Sequence, residues 1–541
     1  MRSIASTEEE EKLLGTSLHE KSVLEEQTGD DEQATWQNLP QKKQLFLIAL
    51  CRLSTPLSNA CLLPYLFFLV KSIISQPEHP TAPQQISRLT GLLVAAFPIG
   101  QMLTSMLWGR LSDMYGRKPA ILLGLAISVV ANLGFGFSRT IGMLVCWRVV
   151  AGMANGIVGV LRTMTAEIVQ DRKHRPRAFL APPVVFNSGR VIALAVGGCL
   201  ADPVKNLPRL FGPSGLFNIY NHPEGVEWTI DYPYALPALF NGVVLSTCLV
   251  VAAVWLRESH PTTSGFWHAS IIERLDCLFT RFRSRRYELV QSGDFRPANH
   301  AASVAPQTPI STTATPRLPF RDIWSRDLCK KLCAFALLPL HNTTFLHIFP
   351  LLLSMPAILE QHPTLFSFQG GLGLSSPTVG LILASFGIAG IMLQLLVYPR
   401  IHASIGTLGV FRLANTIFPI AYMVAPYLSL LAGHDLLKWI TLGAILLMQV
   451  MARTMAIPSS VLLLTDAAPS RNVLGTVHGT GNTVAAFASA CGPAIGGVLL
   501  AKGIEVGAVG LVWWSWLVLV SVFALAWSWI LSSASKMNEK R

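Results

Sequence analysis

Twelve long apolar stretches limit what this chain of 541 residues can fold into. A bilayer core about 30 Å thick needs about 20 apolar residues for each spanning helix. Hydrophobic residues make up 51% of the chain and charged residues 13%, a composition outside the range of soluble globular proteins. We therefore predict an all-α membrane protein with twelve spans, numbered in chain order, at residues 44–70, 89–109, 119–138, 141–167, 178–201, 234–256, 329–353, 377–399, 408–431, 436–465, 473–501 and 507–531.

The basic residues lie in alternate loops, which predicts the orientation of the chain. Arg110, Arg117 and Lys118 follow span 2, the basic run 172–177 follows span 4, and an arginine-rich loop follows span 6. The intervening loops, such as 354–377, carry almost no basic residues. By the positive-inside rule, the basic loops and both termini are expected in the cytoplasm. The net charge of +12 then reflects orientation and does not indicate a nucleic-acid partner.

A long polar loop separates two groups of six spans. The predicted parts are a disordered acidic cytoplasmic tail at 1–43, a six-helix bundle at 44–256, a cytoplasmic linker loop at 257–327, a second six-helix bundle at 328–532 and a cytoplasmic tail at 533–541. The nine cysteines form no C-x-x-C pair, and no His, Cys, Asp or Glu cluster has metal-ligand spacing. We expect no disulfide, metal ion or cofactor.

The two halves repeat each other weakly. The sequence WGRL at 108–111, followed by Gly116, corresponds to YPRI at 398–401, followed by Gly406 at the same spacing. A second correspondence pairs the glycines 197–198, which close span 5, with the glycines 496–497, which close span 11. The sequence therefore predicts two six-helix bundles related by a pseudo-twofold axis, with a cavity between them.

A charged, glycine-punctuated turn joins spans 2 and 3. Residues 109–119 read GRLSDMYGRKP, which resembles the loop G-x-L-x-D-x-x-G-R-K of the major facilitator superfamily at every position. The resemblance implies transport by alternating access around a central cavity. The resemblance also implies a gating network at the inner mouth, made by Gly109, Asp113, Gly116, Arg117, Lys118 and, at the end of span 4, Glu167. The alternative is that these charged residues are ordinary loop charges in water, which contribute little to stability.

Span 4 contains an arginine within its apolar sequence. RVVAG at 148–152, followed by Gly156, is similar to the R-x-x-x-G motif of the drug:proton antiporter group of twelve-span exporters. The resemblance implies a role for Arg148 in proton coupling. An ionised arginine in a bilayer costs on the order of 3 kcal/mol, so we expect it to face a partner or water. The alternative is that Arg148 snorkels to the outer membrane surface.

Spans 5 and 11 carry copies of the antiporter motif G-x-x-x-G-P-x-x-G-G. In span 5, Ala193 and Leu194 replace the central Gly-Pro pair, whereas span 11 keeps GPAIGG at 492–497. Glycine allows close helix contact and proline kinks a helix. The motif favours export, and the eroded copy leaves uptake as the alternative. The expected helix-packing hinge consists of Gly189, Gly197, Gly198, Gly492, Pro493, Gly496 and Gly497.

The loop before span 6 narrows the resemblance. FGP at 211–213 and YPYALP at 232–237 are similar to sequences in fungal relatives of the zinc-induced-facilitator-like transporters. The implied branch is therefore the fungal multidrug and zinc-induced-facilitator-like group. No zinc site is expected in this chain, despite the name of that group.

Polar residues near the middle of the spans are the candidate substrate-binding groups. An isolated Asn or Gln in such a position is often only an interhelical contact, whereas an arginine is harder to explain without a ligand. Because cations outnumber acids in these spans, an anionic or strongly polar substrate would fit. The candidates are Arg52, Asn59, Asn155, Arg162, Asn187, Arg190, His341, Asn342, His347, Gln394, Arg453 and Asn482.

The proton carrier is not obvious from the sequence. Related fungal sequences have an acid in a C-R-x-x-E-P-like stretch of span 1, where this chain has Thr55. His341, His347 or Glu167 could take that role, since histidine titrates near neutral pH. The alternative for each histidine is a structural residue bonded to a neighbouring helix.

These observations lead to a functional prediction. We expect a monomeric secondary active transporter that exports small organic compounds, driven by protons, in the plasma membrane or, as the alternative, the vacuolar membrane. No P-loop sequence G-x-x-x-x-G-K-[ST] is present, and no nucleophile–base pair suggests an enzyme. The expected partners are a small organic substrate, protons and the lipid bilayer. The alternatives are an importer or facilitator of a small organic anion, and a transport-dead sensor or scaffold.

Overall fold

The computed structural model describes residues 41–74, 83–169, 181–220, 222–259, 324–358, 364–468 and 474–531. Nearly all of the expected tail 1–43, most of the linker 257–327 and the tail 533–541 lie outside these residues. The regular secondary structure of the described residues is helical, apart from one isolated bridge between Phe368 and Ala508.

The first half contains six helical spans. Three short helices between spans 5 and 6 cover Pro203–Asn206, Pro208–Phe211 and Glu227–Asp231. The spans are Lys42–Cys51, Ser54–Ala60 and Leu66–Ile74 for span 1, Pro83–Tyr115 for span 2, Arg117–Gly136 for span 3, Ile141–Ala154 and Ile157–Ile168 for span 4, Ala181–Leu200 for span 5 and Ala235–Trp255 for span 6.

The second half repeats this arrangement, with a π-helical turn in each of spans 8 and 12 and a 3-10 segment at the end of span 9. Its helices are Arg326–Ser354 for span 7, Ser376–Met392 and Leu393–Val397 for span 8, Tyr398–Val424 and Ala425–Leu431 for span 9, Asp435–Asp466 for span 10, Leu474–Glu505 for span 11, and Trp513–Val518 and Leu519–Ile530 for span 12.

Within the described ranges, nine helices are long and apolar enough to cross a membrane. One of them, Ser376–Leu431, holds both spans 8 and 9, which meet at a kink at Gly406. The shorter apolar helix Val184–Leu200 supplies span 5. Together with the interrupted span 1, these helices account for the twelve predicted spans, so the predicted all-α membrane fold is confirmed.

Two expectations about the spans were wrong in detail. Span 1 was expected to be continuous over 44–70, but it is interrupted at 52–53 and 61–65. Pro56 follows the first interruption by three residues and Pro64 lies within the second, and proline lacks the N–H that a continuous helix requires. Span 2 extends beyond 89–109 at both ends, because polar turns continue a helix past the apolar core that hydropathy detects.

The predicted repeat has a backbone counterpart at the two turns. Gly116, between spans 2 and 3, has φ 103° and ψ 162°, and Gly406, between spans 8 and 9, has φ 68° and ψ 174°. Only glycine adopts such angles without strain. The second half has lost most of the charges of the first turn but retains its backbone conformation. We call the membrane side that holds both turns the turn side.

The two double glycines occupy equivalent places in the two halves. Gly197 packs on the backbone oxygen of Cys61 in span 1, and a Cβ at Gly496 would lie 2.6 Å from Thr344 in span 7. The second glycine of each pair faces the other half. These positions lie near the membrane side opposite the turn side, where spans 5 and 11 end.

At these second glycines, the contacts between the halves are backbone to backbone. A Cβ on Gly198 would lie 2.9 Å from the Cα of Gly380 in span 8, and one on Gly497 would lie 3.0 Å from the Cα of Gly91 in span 2. The Ser87 hydroxyl also donates to the Gly497 carbonyl at 2.9 Å. The two halves are therefore closed against each other on the side opposite the turns.

Gly497→Ala is expected to open this side. The added methyl would lie 2.7 Å from the Ser87 carbonyl oxygen, and overpacking of this kind costs about 1–3 kcal/mol, or roughly 5- to 150-fold in an equilibrium. Spin labels at positions 88 and 505 report the separation, because Arg88 and Glu505 form an ion pair across the halves at 2.7 Å.

The matched control is Gly159→Ala, since a Cβ there meets nothing within 4 Å. Longer distances are expected for Gly497→Ala only. Identical distance distributions in the two variants would contradict the role of this contact.

Candidate transport site

A cavity lies between the two halves, lined by spans 1 and 5 of the first half and by spans 7, 8 and 10 of the second. Three of the predicted substrate residues line it, namely Asn187, Arg190 and Arg453. The other lining residues that matter here are Leu63, Phe345, Phe349, Phe386, Gln449 and Thr454. The cavity therefore draws polar groups from both bundles and its aromatic groups from the second half.

Two arginines face this cavity without a counter-charge among the described residues. Arg190 comes from span 5 and Arg453 from span 10. Neither makes a hydrogen bond or ion pair with any other residue that the structure describes, and the described lining contains no Asp or Glu. A guanidinium inside a membrane protein is costly unless it meets water or an anion. The part of the cavity between the two arginines is therefore suited to a negatively charged group.

Amide side chains connect the cavity to residues behind it. Asn187 donates to Gln394 at 2.8 Å, a bond that crosses from span 5 to span 8. Gln449 donates to Asn342 at 3.0 Å, which places Asn342 behind the wall and not on it. Gln449 was not predicted from the sequence, although it precedes Arg453 by four residues and so shares its helix face.

A second bond crosses between the halves nearer the turn side. Arg162 of span 4 donates to Asn482 of span 11 at 3.2 Å. Together with the bond from Asn187 to Gln394, it bridges the halves by side chains alone. A side-chain hydrogen bond contributes about 0.5–1.5 kcal/mol net. The turn side is thus linked by bonds that break easily, whereas the opposite side is closed by packed backbones.

Arg148 is satisfied within the first half. Its side chain is 2% exposed and donates to the carbonyl of Ser58 at 2.6 Å, to Asn59 at 2.7 Å and to the carbonyl of Leu93 at 3.2 Å. The guanidinium also lies 4.9 Å from the ring centre of Phe97. The snorkelling alternative was therefore wrong, and Asn59 contacts Arg148 and not the cavity. Arg148 ties spans 1, 2 and 4 together.

Arg52 and Asn155 belong to a separate polar chain in the first half. Arg52 donates to Thr55 at 2.9 Å, and Thr55 donates to Asn155 at 2.5 Å. The Arg52 guanidinium lies 5.1 Å from the ring centre of Phe186 in span 5. The threonine that stands in place of an acid thus serves as a link between spans 1 and 4.

The two histidines do not line the cavity. His341 is fully buried, and its Nδ1 lies 2.8 Å from the hydroxyl of Tyr422 in span 9. Its ring also meets Phe418 edge to face at 4.8 Å. His341 is therefore a structural residue bonded to a neighbouring helix, which is the alternative that the sequence left open. His347 is 2% exposed, and neither ring nitrogen has a partner among the described residues.

The turn after span 2 is held by a network of ion pairs and hydrogen bonds. Arg117 pairs with Glu167 at 3.0 Å and donates to the Ser112 hydroxyl at 2.8 Å. Glu258, directly after span 6, accepts the backbone N–H groups of Arg117 and Lys118 at 2.9 Å each. These contacts join the ends of spans 2, 3, 4 and 6.

Three further points concern this network. The side chain of Asp113 lies outside the described residues. Gly109 lies within the helix of span 2, and nothing would contact a Cβ there within 4 Å. Glu258 was missed by sequence reasoning, because no motif marks it and only the fold brings it to the first turn of span 3, where a carboxylate complements the helix dipole.

The remaining predicted hinge residues pack within each half. A Cβ on Gly189 would lie 2.5 Å from Leu53, and one on Gly492 would lie 2.5 Å from the Thr344 hydroxyl. Pro493 lies inside the helix of span 11, and its carbonyl oxygen would be 2.7 Å from a Cβ on Gly91. Spans 5 and 11 therefore contact both the first span of their own half and a span of the other half.

Arg148→Lys is expected to destabilise the protein. One ammonium group cannot reach the three acceptors that the guanidinium fork reaches, and each buried acceptor left unpaired costs about 1–3 kcal/mol. The measurement is the melting temperature of the purified protein. The control is Arg139→Lys, whose exposed side chain pairs with Asp231 at 3.2 Å. Equal melting temperatures for the two variants would contradict the conclusion that Arg148 holds spans 1, 2 and 4 together.

Comparisons with known proteins agree with this architecture. The family model described as Major Facilitator Superfamily matches residues 48–361. The chain is 31% identical over 512 residues to the major facilitator superfamily multidrug transporter mfsB of Aspergillus fumigatus, which covers 89% of this chain and 82% of the relative. It is 25% identical over 484 residues to the efflux pump azaK of Aspergillus niger, covering 88% of this chain and 87% of the pump.

Plant and structural relatives extend the picture. The chain is 25% identical to Protein ZINC INDUCED FACILITATOR-LIKE 1 of Arabidopsis thaliana, with coverage of 84% and 83%. The crystal structure of the human organic anion transporter MFSD10 has a TM-score of 0.54 at 20% identity, covering 90% of this chain and 99% of that one, and shows the shared fold alone. The chain therefore belongs to the major facilitator superfamily, in the branch of the fungal multidrug and zinc-induced-facilitator-like transporters, and is a multi-pass membrane transporter and not an enzyme.

Proposed function

We propose that this protein exports small organic compounds in exchange for protons, by alternating access. The observation that carries the proposal is the cavity lined by both halves, with Arg190 from the first half and Arg453 from the second. A site built from two bundles is exposed to one side or the other as the bundles rock around it. The protein is proposed to work as a monomer in the plasma membrane, with the turn side and both termini in the cytoplasm.

The contacts between the halves support opening toward the turn side. The side opposite is closed by backbone contacts at Gly198 and Gly497, whereas side-chain bonds such as that from Asn187 to Gln394 bridge the turn side. Breaking two hydrogen bonds of about 1 kcal/mol each is within reach of substrate binding energy. The cavity would then load from the cytoplasm, as an exporter requires.

The direction of transport rests on two further points. Two relatives are named as a multidrug transporter and an efflux pump, and span 11 keeps the antiporter sequence GPAIGG. The eroded copy of the antiporter motif in span 5 favours a second candidate, an importer or facilitator of a small organic anion. That candidate shares the fold and the site and differs only in the driving gradient.

We propose Glu167 as the proton-binding group. Its ion pair with Arg117 at 3.0 Å lies at the turn side, and its side chain remains partly exposed to solvent. A proton on Glu167 would remove the charge that holds Arg117, which loosens the ends of spans 2 to 4 together. His341 is occupied by Tyr422, and Arg148 positions the spans that carry this network.

The test is transport into membrane vesicles from cells that express the full chain. Labelled organic acids, toxins and drugs are offered to inside-out vesicles with an acidic lumen. We expect accumulation that a protonophore abolishes. Glu167→Gln is expected to reduce accumulation to the protonophore level, because an amide cannot bind and release the proton. Glu224→Gln, at an exposed carboxyl in the loop between spans 5 and 6, is the matched control.

Other outcomes would replace the proposal. Accumulation only when the gradient is oriented for uptake would establish an importer. Flux with no gradient dependence would indicate a facilitator. A folded protein that moves none of the compounds in either orientation would point to a sensor or scaffold.

A further inference from the structure

The cavity between the halves has a charged end and an apolar end. By their positions along spans 5 and 10, Arg190 and Arg453 lie nearer the turn side than do Phe345 and Phe349 of span 7. We infer that the transported compound is an organic anion with a ring-bearing apolar body, whose acid group lies between Arg190 and Arg453 and whose body lies against Phe345, Phe349 and Phe386. This inference rests on the proposed function, because it names the class of compound that the exporter would carry.

The cavity holds two positive charges close together. Both guanidinium groups face one space in the membrane-embedded part of the protein, and like charges repel more strongly there than in water. Neither group has a hydrogen-bond or ion-pair partner in the described part of the chain. An anion supplied by the ligand would relieve this repulsion, and a cationic ligand would add to it.

The geometry of arginine carries the second step. A guanidinium presents parallel N–H donors that match the two oxygens of a carboxylate, sulfonate or phosphate. Since Arg190 belongs to span 5 and Arg453 to span 10, one acid group between them would contact both halves. The ligand would thereby draw the two bundles together around itself, which is what a substrate must do in alternating access.

A neutral polar group beside the arginines adds a further requirement. Gln449 is 2% exposed and lines the cavity, and its Oε1 has no hydrogen-bond partner in the described part of the chain. A buried carbonyl oxygen without a donor is unfavourable. A hydroxyl or N–H group next to the acid group of the ligand would satisfy it.

The apolar end is formed by aromatic side chains. The rings of Phe345 and Phe349 stack with centres 4.9 Å apart in span 7, and Phe386 of span 8 and Leu63 of span 1 line the same cavity. Flat apolar rings bind other rings well by offset stacking and edge contacts. Few neutral hydrogen-bonding groups are available here, which disfavours a sugar and favours a hydrophobic body.

The test compares three probes that share one ring system and differ in charge. They are 1-hydroxy-2-naphthoate, 1-hydroxy-2-naphthamide and 2-naphthylmethylammonium, measured by calorimetry against the full-length protein in nanodiscs without a gradient. We expect the anion to bind at least about 10-fold more tightly than the amide, as charge-assisted hydrogen bonds would give. The cation is expected to bind most weakly.

Variants assign the preference to the two arginines. Arg453→Gln is expected to weaken binding of the anion by about 10-fold and to leave binding of the amide nearly unchanged. Arg453→Lys keeps the charge, and its affinity for the anion is expected to lie between those of the parent protein and of Arg453→Gln. This variant preserves the test if Arg453→Gln does not fold. Arg139→Gln, at an exposed arginine outside the cavity, is the matched control and should bind all three probes like the parent protein.

The inference is overturned if the amide or the cation binds as tightly as the anion, if none of the three probes binds, or if Arg453→Gln and Arg453→Lys bind the anion like the parent. These outcomes are separate from failure of the proposed function. Binding is measured without a proton gradient, so a protein that binds the anion selectively but fails in the vesicle experiment contradicts export and leaves the substrate class standing.

Discussion

An arginine side chain inside a bilayer has to meet acceptors or water, because the ionised group cannot be left in hydrocarbon. This protein meets that constraint in two opposite ways. Arg148 is surrounded by the carbonyls of Ser58 and Leu93 and by Asn59, and so its charge is used to fix three spans. Arg190 and Arg453 have no such acceptors among the described residues and face a cavity. The same residue type holds spans together in one place and is the proposed ligand-binding group in the other.

Close packing of glycine determines which side of the protein is closed. In each half, the first glycine of a pair packs on the first span of its own half and the second packs on a span of the other half. Methyl groups at Gly198 or Gly497 would collide with backbone atoms, which cannot move without moving a helix. The side of the protein opposite the turns is therefore closed by rigid backbone surfaces, whereas the turn side is closed by a few side-chain hydrogen bonds. This asymmetry gives the two halves a direction in which to part.

The site residues that were predicted from the sequence differ from those that were missed in how far apart along the chain the contacting residues lie. Arg117 and Glu167 were expected to form one network and lie 3.0 Å apart, because Arg117 belongs to the charged turn and Glu167 ends span 4 on the same side of the membrane. Glu258 completes that network but is 141 residues from Arg117, and no motif marks it. His341 and Asn59 were candidates because they are polar and in the membrane. Sequence position could not show that Tyr422 and Arg148 already engage them.

Local composition and spacing are enough to show that this chain crosses the membrane many times, that its halves are related, and that a charged turn identifies its family. Which of the intramembrane arginines are satisfied and which face the cavity became clear only from the packing of the spans. The physical reason is that helix faces are assigned by packing between spans far apart in the chain. Asn187 and Gln394, or Gly91 and Gly497, meet only when the two bundles are assembled.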